Sequence, residues 1–140
     1  MKAYPKIIVK NPGTPLKQPK HKKVLFIRPF CYYCNRDFPS EKVLISHQKA
    51  VHFRCNHQRC RKFFNEAAAL QEHTEKVHRR SITKINRALT SRSDPNVSIS
   101  GMAGVSLDII MEKRDAIQLK YPNRLVKIPP FMLVLASSTN

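Results

Sequence analysis

The stretch Phe30-Cys31-Tyr-Tyr-Cys34-Asn-Arg-Asp-Phe38, closed by His47-Gln-Lys-Ala-Val-His52, decides the fold of this chain. Two residues further on the same order of ligand types returns, as Cys55-x4-Cys60-x12-His73-x4-His78 after Cys31-x2-Cys34-x12-His47-x4-His52. The spacing has a mechanical reading. A short cysteine loop puts two thiolates on one side of an ion, and two histidines at the end of a helix complete a tetrahedron, with zinc–sulfur near 2.3 Å and zinc–nitrogen near 2.0–2.1 Å. Four protein ligands leave no open position for a catalytic water, so both sites read as structural. The implied cofactor is Zn2+, two ions per chain, held by Cys31, Cys34, His47 and His52 and by Cys55, Cys60, His73 and His78.

The apolar positions fall in the same register. Phe38, Leu44 and His47 follow Cys34 at the intervals that Phe64, Leu70 and His73 keep after Cys60, and Phe53 precedes Cys55 by two. In a strand–strand–helix unit, Phe38, Leu44, Phe53, Phe64 and Leu70 form the finger core. Such a core is too small to offset the chain entropy by itself. Metal binding, worth roughly 10–16 kcal/mol in finger peptides, supplies the difference. The expected fold class is therefore a small zinc-dependent α+β protein: two tandem ββα Cys2His2 fingers fused by a very short linker, with extended or disordered tails and one C-terminal helix.

Working outward, residues 28–52 are finger one and 53–80 finger two. Residues 1–27 read as a basic, proline-rich arm, since Pro5, Pro12, Pro15 and Pro19 interrupt any helix. Residues 81–140 read as a Ser/Thr/Asn/Gly-rich loop, a helix over about 106–121 and a flexible tail. Ser106 is its expected N-cap, Pro122 its stop, and Leu107, Ile110, Met111 and Ile117 a packing stripe. The first residues hold only three consecutive apolar positions, too few for a signal-peptide core, and Phe131 to Ala136 falls far short of a membrane span. Reduced, metal-bound cysteines and a nuclear or cytosolic home follow.

The 140 residues carry a formal charge of +17. Residues 1–30 hold eight Lys/Arg and no acid, and the excess continues through both later segments. A polyanion partner, nucleic acid or an acidic protein surface, is the default; a merely solubilising coat is the alternative. Candidate contacts are Lys20, Lys22 and Lys23 in the arm and Arg36, Lys42, Lys49, Arg54, Arg59, Arg61 and Lys62 in the fingers. His57, inside the second cysteine loop, reads as a polar loop residue, with competition for metal as its alternative.

Base reading by the finger helices is disfavoured. The positions that would face DNA bases are Ser40, Val43 and Ser46 in finger one and Glu66, Ala69 and Glu72 in finger two, none able to make the bidentate arginine–guanine or asparagine–adenine contact. Only Phe53 and Arg54 separate His52 from Cys55, and three chain steps span at most roughly 11 Å, so the fingers are expected to move as one rigid block.

The string Cys31-Tyr-Tyr-Cys-Asn-Arg-Asp-Phe38, with Glu41-Lys42 and Ser46-His-Gln-Lys-Ala-Val-His-Phe53, closely resembles the BuGZ family of spindle- and kinetochore-associated zinc-finger proteins, and a related plant transcription factor acting on flowering. The likeness continues in Ala88, Arg92, Asp94 and Ile99-Ser-Gly-Met-Ala-Gly-Val105, covering about residues 29–115. It implies zinc, a nuclear home with the spindle in mitosis, and microtubule or tubulin binding through the fingers. Family members continue into a proline-rich, low-complexity region and carry an acidic motif for a Bub-family checkpoint protein. Residues 81–140 contain one glutamate, Glu112, and no acidic pair, so that partner is not expected here. Finger two departs from the family in its x4 cysteine spacing. The reading is a non-catalytic nuclear binding module for microtubules or another acidic surface, with a DNA-binding regulator and an RNA-binding module as alternatives. No membrane or small-molecule substrate is expected.

Overall fold

In a computed structural model, residues 23–136 are described; Lys20, Lys22, most of the basic arm and the last four residues lie outside them. Strand β1 (Val24–Phe26) opens the described chain, followed by helix α1 (Glu41–His47), α2 (Ala67–His78), α3 (Leu107–Lys120), strand β2 (Leu125–Lys127) and α4 (Pro130–Ala136). A π-helical turn covers Gln48–His52, and a 3-10 turn covers Thr90–Arg92.

Each finger keeps its helix but not its two strands. A single antiparallel bridge, Phe30 with Asp37 and Arg54 with Phe63, stands where a hairpin is expected. The reason is a missing donor. Phe38 N–H donates to Pro29 O at 2.8 Å, but Pro29 has no N–H to return the bond. In finger two Phe64 N–H donates to Phe53 O at 3.0 Å, while the N–H of Phe53 is already given to Gln48 O at 2.9 Å. The ladder stops after one rung in both.

The two named strands come instead from segments read as arm and tail. β1 and β2 pair in parallel, with Val24 opposite Leu125, Leu25 opposite Val126 and Phe26 opposite Lys127. Parallel strands need a crossover. Here both fingers, residues 81–106 and α3 form it. Beyond Tyr121 the chain is β2 and α4, not a featureless tail, and Val126, Met132 and Ala136 are buried.

One core runs through the described residues. Phe30, Tyr33, Leu44 and Phe53 from the first finger join Ile85, Ile99, Met102, Val105 and Ile110 from the segment after the fingers. The segment read as a loop is therefore packed structure. Arg92 donates to Tyr32 O at 3.1 Å, Leu89 N–H to Tyr33 O at 2.7 Å, and Phe30 N–H to the Met102 sulfur at 3.4 Å. Helix α3 begins where expected, with Ser106 Oγ accepting from Ile109 N–H at 3.4 Å. Its packed stripe is shifted from the expected one. Ile110 is buried and Ile117 packs on the core, but Leu107 and Met111 are exposed, while Lys113 and Arg114 take the inner positions. Lys113 reaches Asp37 Oδ1 at 2.7 Å and Asn35 O at 2.9 Å; Arg114 Nε donates to Val126 O at 2.9 Å. No helix of the described residues is long and apolar enough to cross a membrane.

Candidate metal centres

In finger one, the turn after Cys31 is closed by Asn35 N–H donating to Cys31 O at 2.7 Å, with Asn35 in the left-handed region at φ 67°. Asparagine tolerates that conformation better than most residues. Ser40 caps α1 by accepting from Val43 N–H at 3.3 Å, which starts the helix in register with the cysteine loop. On a regular helix of 3.6 residues per turn, positions five apart point about 140° from each other. The π turn over Gln48–His52 corrects this. Its i to i+5 bond, Phe53 N–H to Gln48 O, puts residue i+5 one turn on, and His47 and His52 converge with ring centroids 5.0 Å apart at 81°.

Finger two reaches the same arrangement at a helix end. Arg79, left-handed at φ 55°, sends its N–H back to Thr74 O and Glu75 O, and His73 and His78 lie 5.0 Å apart at 80°. Its longer cysteine loop closes with Cys60 N–H to His57 O at 3.0 Å, one residue tighter than the Asn35–Cys31 bond of finger one, and has two more residues before it. Counting from His73 and His78 in step with His47 and His52, the position matching Cys31 is His57, and Cys55 supplies the thiol from two residues upstream. The ring of His57 is not among the converging ligand atoms; it stacks on His78 at 3.9 Å and 11°.

The eight residues read from the sequence fall into two groups, Cys31, Cys34, His47, His52 and Cys55, Cys60, His73, His78. Within each, the ligand atoms lie within 4.8 Å of one another. Cys34 Sγ stands 3.4 Å from His47 Nε2, and Cys60 Sγ 3.3 Å from His73 Nε2. A tetrahedral zinc at ordinary bond lengths sets a sulfur–nitrogen edge of about 3.5 Å. Nε2 of His52 and of His78 is buried and has no hydrogen-bond partner. A buried imidazole nitrogen left unpaired is costly, and a metal bond satisfies it. All four cysteines are free thiols. The donor set fits Zn2+, one ion per group.

Electrostatics agree with neutral imidazoles and thiols that give up protons to a metal. Burial, the neighbouring His52 and Arg36 push His47 down to about 4. Burial also lowers His52, although its bond to Asn86 O opposes the shift. Burial pushes the Cys31 thiol up to about 11. Because a carbonyl can only accept, the 2.7 Å contact between His52 Nδ1 and Asn86 O places the proton on Nδ1 and leaves Nε2 as the ligand atom.

The finger-core residues separate into two kinds. Leu44, Phe53 and Leu70 are buried; Phe38 and Phe64 are half-buried, each ring lying against the first histidine of its group at 4.6 and 4.9 Å. Gln48 escaped the sequence reading. It is fully buried, and its Nε2 donates to Cys31 Sγ at 3.7 Å. Its signal is its place one turn after Leu44, a polar residue on the inward stripe. The candidate base-reading positions Ser40 and Glu66 are the N-caps of α1 and α2, and Glu72 pairs with Lys76 at 2.8 Å. Among the polyanion candidates, Lys23, Arg36, Lys42, Arg59, Arg61 and Lys62 are exposed, and Lys49 and Arg54 half-buried.

Two four-ligand Cys2His2 groups place the chain among zinc-finger proteins. No family model matches the chain. Relatives do, and the chain belongs to their family, BuGZ-type proteins with a plant member: two of them match over more than two thirds of its length. It is 38% identical over 99 residues to the BUB3-interacting and GLEBS motif-containing protein ZNF207 of Xenopus laevis, covering 71% of this chain and 22% of that protein. The human ZNF207 is 40% identical over 93 residues, 66% of this chain and 19% of its own length. Protein SUPPRESSOR OF FRI 4 of Arabidopsis thaliana is 32% identical over 109 residues, 78% of this chain and 29% of its own. This chain thus spans between 19% and 29% of the length of these curated relatives.

Proposed function

We propose that this chain is a non-catalytic nuclear zinc-finger module of the spindle, which docks on an acidic protein surface such as that of tubulin. The observation that carries the reading is the segregation of charge from the end of finger one through the cysteine loop of finger two. Lys49, Arg54, Arg59, Arg61 and Lys62 fall between residues 49 and 65 with no acid among them. None of the five has an ion-pair partner among the described residues. The helix that would enter a DNA groove has the opposite character, with Glu66 at its cap and Glu72 and Glu75 along it. Phosphates are repelled from that face, so the basic cysteine-loop side is the one offered to a polyanion. The homology to ZNF207 supports the spindle assignment. The BUB3 interaction in that protein's name is not extended to this chain, whose residues 81–140 contain no adjacent acids.

A second reading, single-stranded RNA, has its own observation. Phe63 is half exposed, with Lys49 Nζ at 5.8 Å and Arg54 Cζ at 5.7 Å from the ring centre, and an exposed aromatic among cations offers a base a surface to stack on.

The deciding experiment is sedimentation with stabilised microtubules beside binding to random duplex and single-stranded RNA pools, over a salt series. Arg59→Glu/Arg61→Glu/Lys62→Glu is expected to abolish microtubule retention while leaving two zinc ions bound. Selection of a duplex consensus, or RNA binding that Phe63→Ala removes while microtubules are ignored, overturns the proposal.

A further inference from the structure

Asn86 lies in the segment after the fingers, yet it touches the surroundings of both metal groups. Its backbone carbonyl accepts from His52 Nδ1 at 2.7 Å. Its side-chain Nδ2 donates to Arg54 O at 2.8 Å, and its Oδ1 accepts from Asn56 Nδ2 at 2.6 Å. Arg54 and Asn56 flank Cys55 on either side. One residue therefore bonds the outer nitrogen of a site-one ligand and, with its amide, both neighbours of a site-two ligand.

From this geometry we infer that Asn86 is a positioning residue that couples the two zinc sites, so that an ion in site two strengthens the binding of an ion in site one. When Cys55 is metal-bound, its loop is fixed, and Arg54 O and Asn56 hold the Asn86 amide. The Asn86 carbonyl is then already aimed at His52 Nδ1, keeping the proton there and Nε2 toward the metal. When site two is empty, the cysteine loop frays, the amide loses its anchors, and site one must order Asn86 at its own expense. Outer-shell partners of metal-bound histidine are typically worth 10–100-fold in affinity. Coupling is reciprocal, so site one strengthens site two by the same factor.

The test uses the full chain and needs no partner molecule. Zinc affinity of site one is measured by chelator competition, with site two intact and with it disabled by Cys60→Ser/His73→Asn. Disabling site two is expected to weaken site one about tenfold, within the usual range for coupled sites. Asn86→Ala removes the amide but also disturbs packed structure, so the second variant is the exposed Asn56→Ala, which removes one of the two amide anchors in finger two and leaves the bond to Arg54 O. In that background the penalty is expected to shrink to about half its size on a logarithmic scale, since one of two anchors remains. Proton NMR of the zinc-loaded chain supplies a readout independent of affinity: the His52 Nδ1–H signal exchanges faster with water once site two is disabled. Equal site-one affinity with and without site two, or an unchanged penalty in Asn56→Ala, overturns the coupling.

Discussion

Gln48 and Gly101 form a reciprocal pair: Gly101 N–H donates to Gln48 Oε1 at 2.7 Å, and Gln48 Nε2 donates back to Gly101 O at 3.5 Å. The pair joins the histidine spacer of finger one to the turn that presents Met102 to Phe30. Gln48→Ala leaves Gly101 N–H buried without a partner, which costs about 1–3 kcal/mol. Gly101 sits at φ 62°, and a Cβ there would meet Glu41 Oε2 at 2.7 Å and Ile45 Cγ1 at 2.9 Å, so Gly101→Ala is expected to destabilise by a similar amount. Denaturant unfolding of the zinc-loaded chain checks both. A midpoint equal to that of the unaltered protein in either variant contradicts the packing described.

The fingers are expected to depend on the segment that follows them. Phe30, Tyr33, Leu44 and Phe53 share their core with Ile85, Ile99, Met102 and Val105. A chain ending at Arg80 exposes that surface, and large-to-small losses of core neighbours cost several kcal/mol each. It should bind zinc yet show weak amide-exchange protection around Tyr33 and Phe53. Full protection in the shortened chain would show that the fingers stand alone.

Zinc should leave the two sites at different rates. Site one has Cys31 and His52 buried, with Gln48 and Asn86 behind them; site two has one buried ligand, Cys55. Chelation followed with a colorimetric dye is expected to be biphasic, with the fast phase absent from the Cys60→Ser chain. His57→Ala uncovers the ring face of His78 and should speed that same phase only. A single phase for both ions argues against the asymmetry.

Loading of site one is expected to release the proton of Cys31 and none from His47. At pH 7 the metal-free His47, pushed down to about 4, is already neutral, whereas Cys31, pushed up to about 11, is still protonated. Thiolate is the ligand form, so filling site one expels at least the Cys31 proton, and its apparent affinity climbs with pH through the neutral range. Without metal the sign reverses. A thiol whose folded value lies above its free value of 9.0 keeps its stabilising contribution below that value and loses it as pH climbs toward 11, so the metal-free fold weakens there. Calorimetry in buffers of different ionisation enthalpy counts the protons. Fewer than one per ion would contradict the ligand chemistry.

The metal groups were legible because ligand chemistry is local. Two thiols across a short loop and two imidazoles five residues apart define a site within about 25 residues, and both groups assemble from the residues the spacing names. The start of α3 at Ser106 was legible for the same reason, since a cap acts on the next turn of its own chain. The finger hairpins were not. Their outcome turns on where two donors go: Pro29 has none, and Phe53 N–H is used by the π turn. The α3 stripe misled because Lys113 and Arg114 have acceptors outside the helix: Asp37 and Asn35 in the first finger, far away in sequence, and Val126 in β2.

The amino-acid order by itself determined which eight side chains can meet an ion, because their spacing is set by turns and helices a few residues long. Only the tertiary structure decided that the segment after the fingers belongs to their core, that β1 pairs with a strand about a hundred residues later, and that Gln48 and Asn86 stand behind the ligands. Those contacts join positions between 17 and 101 residues apart. No local periodicity encodes such pairings, since each is chosen by burial and by the partners left over once the local turns have formed.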